Sequence, residues 1–226
     1  MRSIQLRLDL PAPYVHPMHA FVADTPGFRA THLRHWNPAV GERNTLVFFV
    51  DGDDPAAYTD ALDDQPSILE YEIATEENRR GFHLAVTEDQ RAADARLTSA
   101  FLGTDVVVVP PVVYRADRRL DLSLVGIADE LETALDSLPG DIGVTVQRIR
   151  PYDGRLTDPT ATLTSRQRAA LRIAVDAGYY ADPRAATLEA VADELGCAVG
   201  TAAEHLRKAE AAVLGRVVDA IPGGPG

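Results

Sequence analysis

Two groups of residues in this 226-residue chain have types and spacings that could do chemistry. Near the C-terminus, Glu204, Arg207 and Lys208 share one face of a helix with Gly200, and Thr201 and His205 flank that face. A hydroxyl, a carboxylate and an imidazole can exchange hydrogen bonds with base edges, directly or through bridging waters. A guanidinium and an ammonium suit phosphate oxygens. Near the N-terminus, His16 and His19 form one His-x-x-His pair, and His32 and His35 form another. On a helix, His16 and His19 could face one ion. On a strand, His32 and His35 would point to opposite faces, which spoils the second pair. No cysteine or acidic motif completes a ligand set, so scattered surface or interface histidines are expected and no metal is assigned. The chain has no Gly-x-Ser-x-Gly elbow, phosphate-binding loop or dinucleotide fingerprint. The expectation is a protein that is not an enzyme and needs no cofactor.

The elements that must position the C-terminal group are readable in the sequence. Thr164-Ser165-Arg166-Gln167 is a capping box that starts a helix. Leu171, Ala174 and Val175 give that helix an apolar stripe, and Gly178 is its expected stop. Thr187 caps a second helix, Leu188–Leu195, and Gly196-Cys197-Ala198 supplies a tight turn. A third helix starts near Val199. Leu188, Val191 and Leu195 face a core completed by Ala202, Leu206, Ala209 and Val213, and Gly196 permits the left-handed backbone of the turn. This predicts a helix-turn-helix over residues 164–218, after a turn-rich linker at 150–163 and before a disordered tail at 219–226.

Here the chain resembles a family. Leu163-Thr164-x-Arg166-Gln167, Ala177-Gly178-Tyr179, Leu188-x-x-Val191-Ala192-x-x-Leu195-Gly196 and Thr201-x-x-Glu204-His205-Leu206-Arg207-Lys208-Ala209-Glu210 look like the bacterio-opsin-activator (Bat-type) helix-turn-helix of haloarchaeal transcription regulators. The resemblance implies sequence-specific binding to double-stranded DNA, with the third helix in the major groove. Thr201, Glu204 and His205 would then lie near base edges, and Arg207 and Lys208 near phosphates. One departure bears on readout. The family usually has serine after the turn and polar residues leading into the third helix, whereas this chain has Ala198, Val199, Gly200, Ala202 and Ala203.

Charge fits the same setting. The formal net charge is −12, and of the 22 basic residues only Lys208 is a lysine. An acidic chain that almost avoids lysine resembles proteins of salt-loving archaea. At about 1 M salt the Debye length falls to about 3 Å, so repulsion from DNA phosphates is largely screened. Most of the excess acid lies in residues 1–156, with 15 basic and 25 acidic side chains, against 7 and 9 in residues 157–226.

The N-terminal region reads as a duplication. Ile4, Leu6, Leu8 and Leu10 alternate as in a strand. Further strands are expected at Thr45–Val50 and Leu69–Ile73, with a helix over Pro55–Asp63 capped by Asp54. Ala61-Leu62-Asp63-Asp64-Gln65-Pro66 then recurs as Ala134-Leu135-Asp136-Ser137-Leu138-Pro139. Downstream, Leu69, Tyr71 and Ile73 fall on Ile142, Val144 and Val146. Each copy, residues 1–76 and 81–149, reads as strand, helix, strand, strand, helix, strand, with its own antiparallel sheet carrying two helices.

The expected fold class is therefore α+β: tandem ferredoxin-like (ACT-like) βαββαβ repeats followed by an all-α helix-turn-helix domain. The likeness to ACT-type ligand-binding modules is topological. It brings a small-molecule effector and a homo-oligomer into view as partners of the duplicated region. No apolar run approaches the roughly 20 residues of a membrane span, and a cytoplasmic protein is expected. The competing readings are a helix-turn-helix turned protein-docking module, and a metal- or small-molecule-dependent enzyme with an accessory C-terminal domain.

Overall fold

Alternation of apolar and polar side chains, clearest in Arg2–Asp9 and Phe82–Asp89, builds the first unit, Met1–Tyr152, of the computed structural model. The structure describes residues 1–38, 43–75, 80–152 and 160–220. The described residues of the first unit form eight strands: β1 (Arg2–Asp9), β2 (Phe28–Pro38), β3 (Arg43–Gly52), β4 (Ile68–Thr75), β5 (Phe82–Asp89), β6 (Val107–Arg115), β7 (Arg119–Gly126) and β8 (Gly143–Pro151). Four helices alternate with them: α1 (Pro17–Asp24), α2 (Pro55–Asp63), α3 (Ala92–Leu102) and α4 (Ala128–Asp136). The helix expected at Pro55–Asp63 is present as α2. Asp54 caps it, accepting a hydrogen bond from the Ala57 backbone N–H at 3.0 Å.

The eight strands form one antiparallel sheet in the order β4-β5-β3-β2-β6-β7-β1-β8. Ile4, Leu6 and Leu8 of β1 and Leu120, Leu122 and Leu124 of β7 are buried and paired across the two strands. Leu46, Phe48 and Val50 of β3 pair likewise with Val86, Leu84 and Phe82 of β5. These inward residues join Met18 and Val22 of α1, Tyr58 and Leu62 of α2, Leu97 and Phe101 of α3, and Leu131 and Ala134 of α4 in one core. Burying a side chain of this size contributes roughly 1.5–3 kcal/mol, so a single shared core binds both halves into one unit.

Three details differ from the sequence reading. Instead of two sheets, each made from its own copy, there is one. β1 lies between β7 and β8, and β5 lies between β3 and β4. Leu69 is exposed, because a bulge between Ile68 and Glu70 shifts the β4–β5 register. A bulge between Leu33 and His35 has the opposite effect on the second histidine pair: His32 and His35 stand opposite Phe49 and Val47, which share a face of β3. The expectation that they point apart fails for that reason.

The second unit, Asp153–Gly226, holds α5 (Ser165–Asp176), α6 (Leu188–Leu195) and α7 (Val199–Ala220). Of the expected linker 150–163, Arg150 and Pro151 end β8 and residues 153–159 lie outside the described residues; of the expected tail 219–226, residues 219 and 220 close α7 and residues 221–226 lie outside them. Among the described residues, no helix is long and apolar enough to cross a membrane.

Candidate nucleic-acid interface

The interface is built on three helix ends. At the start of α5 both halves of the capping box form: Gln167 N–H donates to Thr164 Oγ1 at 3.2 Å, and Thr164 N–H donates to Gln167 Oε1 at 2.9 Å. At its end Gly178 has φ +78°. Tyr179 N–H donates to the Ala174 carbonyl and Gly178 N–H to that of Val175, the paired bonds of a Schellman stop. The buried stripe of α5 is rotated from the expected one. Ala170 and Ala174 are buried with Ile173 packed beside them, whereas Val175 is exposed.

The turn between α6 and α7 repeats the same device. Thr187 caps α6, its side chain accepting from the Ala190 N–H. Gly196 has φ +69° and ψ +44°. Cys197 N–H donates to the Ala192 carbonyl and Gly196 N–H to that of Asp193. Arg166 of α5 reaches across and donates to the Leu195 carbonyl at 3.3 Å, which fastens the turn to the first helix. Val191, Ala192 and Leu195 meet Ala202 and Leu206 in the unit's core, with Ala170 and Ala174 from α5. Small residues at the crossing let the helices approach closely.

This packing decides which face of α7 is free. Ala202, Leu206 and Ala209 are buried, and Val213 is half-buried. Thr201, Glu204, Arg207 and Lys208 are exposed, while His205 is half-buried at the edge. Lys208 Nζ lies 2.7 Å from Glu204 Oε1, one turn earlier. The ammonium of Lys208 holds the Glu204 carboxyl below its usual range. Among the described residues Arg207 has no ion-pair partner. The Ala198 carbonyl accepts from the N–H groups of Thr201 and Ala202, so Ala198 holds the capping position with no side-chain acceptor.

Two anchors were not singled out from the sequence. Arg184 lies over the Tyr179 ring at 4.9 Å, and the Tyr180 hydroxyl donates to Glu210 of α7. The Ala-Gly-Tyr segment was visible, but its partners lie in a loop and on the far side of a helix, out of reach of local spacing.

The N-terminal histidines are placed differently. The His16 Nδ1 accepts from Met18 N–H and caps α1, and His19 Nδ1 lies 2.9 Å from Thr31 Oγ1. Each already has a structural partner. Among the described residues there is no cluster of three or more histidine, cysteine or acidic side chains that could hold a metal ion.

Residues 16–152 match the N-terminal-domain family HVO_0513_N, and residues 163–215 match a family described as HTH DNA binding domain. The chain belongs to the first family, and its C-terminal unit is a helix-turn-helix DNA-binding domain of the bacterio-opsin-activator type. A protein of Haloferax volcanii, provisionally named a transcriptional regulator, is 29% identical over 173 residues. That stretch is 76% of this chain but only 24% of the relative. In helix-turn-helix domains generally, the helix after the turn is the one that lies in the major groove. The helix after the tight turn is α7 here, and Thr201, Glu204, Arg207 and Lys208 are polar groups that its packing leaves outward.

Proposed function

We propose that this protein is a cytoplasmic transcription regulator that inserts the N-terminal half of α7 into the major groove of promoter DNA. The observation that carries the reading is the fixed α6–α7 turn at Gly196, which leaves one polar face of α7 outward while the opposite face is core. Thr201, Glu204 and His205 are assigned to base edges or their bridging waters, with a glutamate suited to accept from cytosine. Arg207 and Lys208 are assigned to phosphates. Lys208 must exchange Glu204 for a phosphate oxygen, trading one exposed ion pair for another.

The N-terminal unit is read as two ferredoxin-like repeats that have exchanged their first strands. Each half of the sheet then carries the ferredoxin order, with β5 in the place of β1 and β1 in the place of β5. Its role is to sense a small molecule or to pair two copies. The exposed Val144, Val146 and Ile149 on β8 support the pairing.

A second reading, a helix-turn-helix that docks on protein, is favoured by the exposed Ala198-Val199-Gly200 entry to α7. Salt titration of DNA binding separates the two. Each lost phosphate contact lowers the slope of log affinity against log salt by about 0.9, so Arg207→Ala/Lys208→Ala is expected to flatten it by roughly 2. An unchanged slope would remove these two residues from the interface.

A further inference from the structure

We infer that the interior of the N-terminal unit is a binding site for an uncharged, largely apolar small molecule that carries a hydrogen-bond acceptor. Protein interiors leave few voids larger than a water molecule. Between the centre of the sheet and helices α1 and α3, however, lies a cavity of about 110 Å³. A cavity of about 150 Å³ accommodates benzene, so this smaller one suits a molecule below that size, of about four or five heavy atoms. Leu33, Phe48, Leu84, Leu97 and Leu122 supply apolar wall. The half-buried Trp36, Thr98 and Val108 also line it.

The polar groups in this wall define the ligand. His16 Nδ1 accepts the Met18 N–H, so the ring proton resides on Nε2. That Nε2 is buried without a hydrogen-bond partner, 3.5 Å from Glu88 Oε2. Trp36 Nε1 is buried and unpartnered as well. Two orphaned N–H donors in one apolar cavity are rare and call for an acceptor oxygen. A carboxylate or phosphate would enter beside Glu88 and Asp94. The neighbouring Arg91 is already committed to Asp94 through two hydrogen bonds, at 2.8 and 2.9 Å, so it supplies no spare positive charge. An ammonium would meet the two N–H donors, and of the carboxyls beside them Asp94 is already neutralised by Arg91 while burial favours the neutral form of Glu88. Burial reinforces this neutrality: desolvation pushes His16 down to about 4 and Glu88 up to about 7. A carbonyl or ether oxygen on a compact apolar body offers these donors an acceptor and adds no charge.

The link from this site to transcription rests on the sensing role proposed above, but occupancy can be read without DNA. Trp36 is the only tryptophan in the chain, so its indole N–H gives one identifiable ¹⁵N resonance. The full chain, at high salt, is titrated with butanone, propionate and propylamine. Saturable downfield movement of the Trp36 indole signal with butanone alone is the expected result. Val108→Phe, which fills the cavity, should abolish it while the remaining spectrum stays dispersed. Should that variant not fold, the three-probe comparison on the native chain decides alone. No saturable shift with butanone, or binding of either charged probe at equal or lower concentration, overturns the inference. If butanone saturates Trp36 yet leaves DNA affinity unchanged, the site stands and the sensing role falls.

Discussion

Replacing each of the two left-handed glycines by alanine separates backbone strain from crowding in the helix-turn-helix. Gly196 has φ +69°, and a Cβ added there would meet nothing within 4 Å. Gly196→Ala therefore carries only the conformational cost, about 1–2 kcal/mol for an L-residue in this region. The loss of glycine's freedom in the unfolded chain offsets about 0.4–1 kcal/mol of that. A net loss of about 1 kcal/mol follows. Gly178 has φ +78°, but its added Cβ would lie 2.9 Å from Ala185 Cβ. Ala185 is also held there by its N–H bond to the Gly178 carbonyl at 3.0 Å. Relief of that overlap adds an overpacking cost of about 1–3 kcal/mol. Gly178→Ala should thus be the worse variant by at least about 1 kcal/mol, and Ala185→Gly in its background should recover the crowding part only. Urea unfolding followed through the amide signals of Ala174, Ala192 and Leu206 isolates the second unit from the first. Equal losses at the two glycines, or no recovery with Ala185→Gly, would refute the reasoning.

Three further outcomes follow from the structure. Because β4 pairs only with β5, fragment 1–76 should remain unfolded alone and fold when co-expressed with 77–226. A folded, monomeric 1–76 by NMR would contradict the exchange of first strands. Glu88→Gln tests the buried carboxyl: its pKa rises to about 7 through desolvation, so the folded state holds the proton more tightly than the unfolded chain. The native protein should lose stability relative to this variant as pH rises from about 4.5 through 7, by on the order of 3 kcal/mol in denaturant titrations. Finally, Glu204→Ala frees Lys208 from its ion pair. If Glu204 reads a base, random-pool selection should show relaxed preference at one position; uniformly tighter binding to all sequences would assign Glu204 to Lys208 alone.

The parts legible in the sequence are those governed by neighbours in the chain. The Thr164–Gln167 box, the Asp54 cap and the glycine after Leu195 each depend on contacts within a few residues, and all three take the expected form. The alternation of Ile4, Leu6 and Leu8 likewise marks a half-buried strand. It could not reveal which strands lie beside β1, because exchanging β1 with β5 leaves the inward and outward faces of both strands unchanged. Bulges are silent for a related reason: one extra residue in β2 realigns His32 and His35 without altering composition. Val175 shows the limit for helices. Ala170 carries only a methyl group, too weak an apolar signal to mark a contact, so the apolar pattern points one position further along α5. The face of α7 was readable from its spacing, whereas the Glu204–Lys208 pair and the Arg166 anchor required the folded chain.

The most direct test of DNA recognition is selection from a random double-stranded pool by the full chain at the salt concentration of a haloarchaeal cytoplasm. Enrichment of a defined motif, lost with Thr201→Ala/Glu204→Ala and weakened without change of motif by Arg207→Ala/Lys208→Ala, is the expected result. A pool that stays random, or a motif indifferent to all four residues, would contradict the proposal that α7 reads promoter DNA.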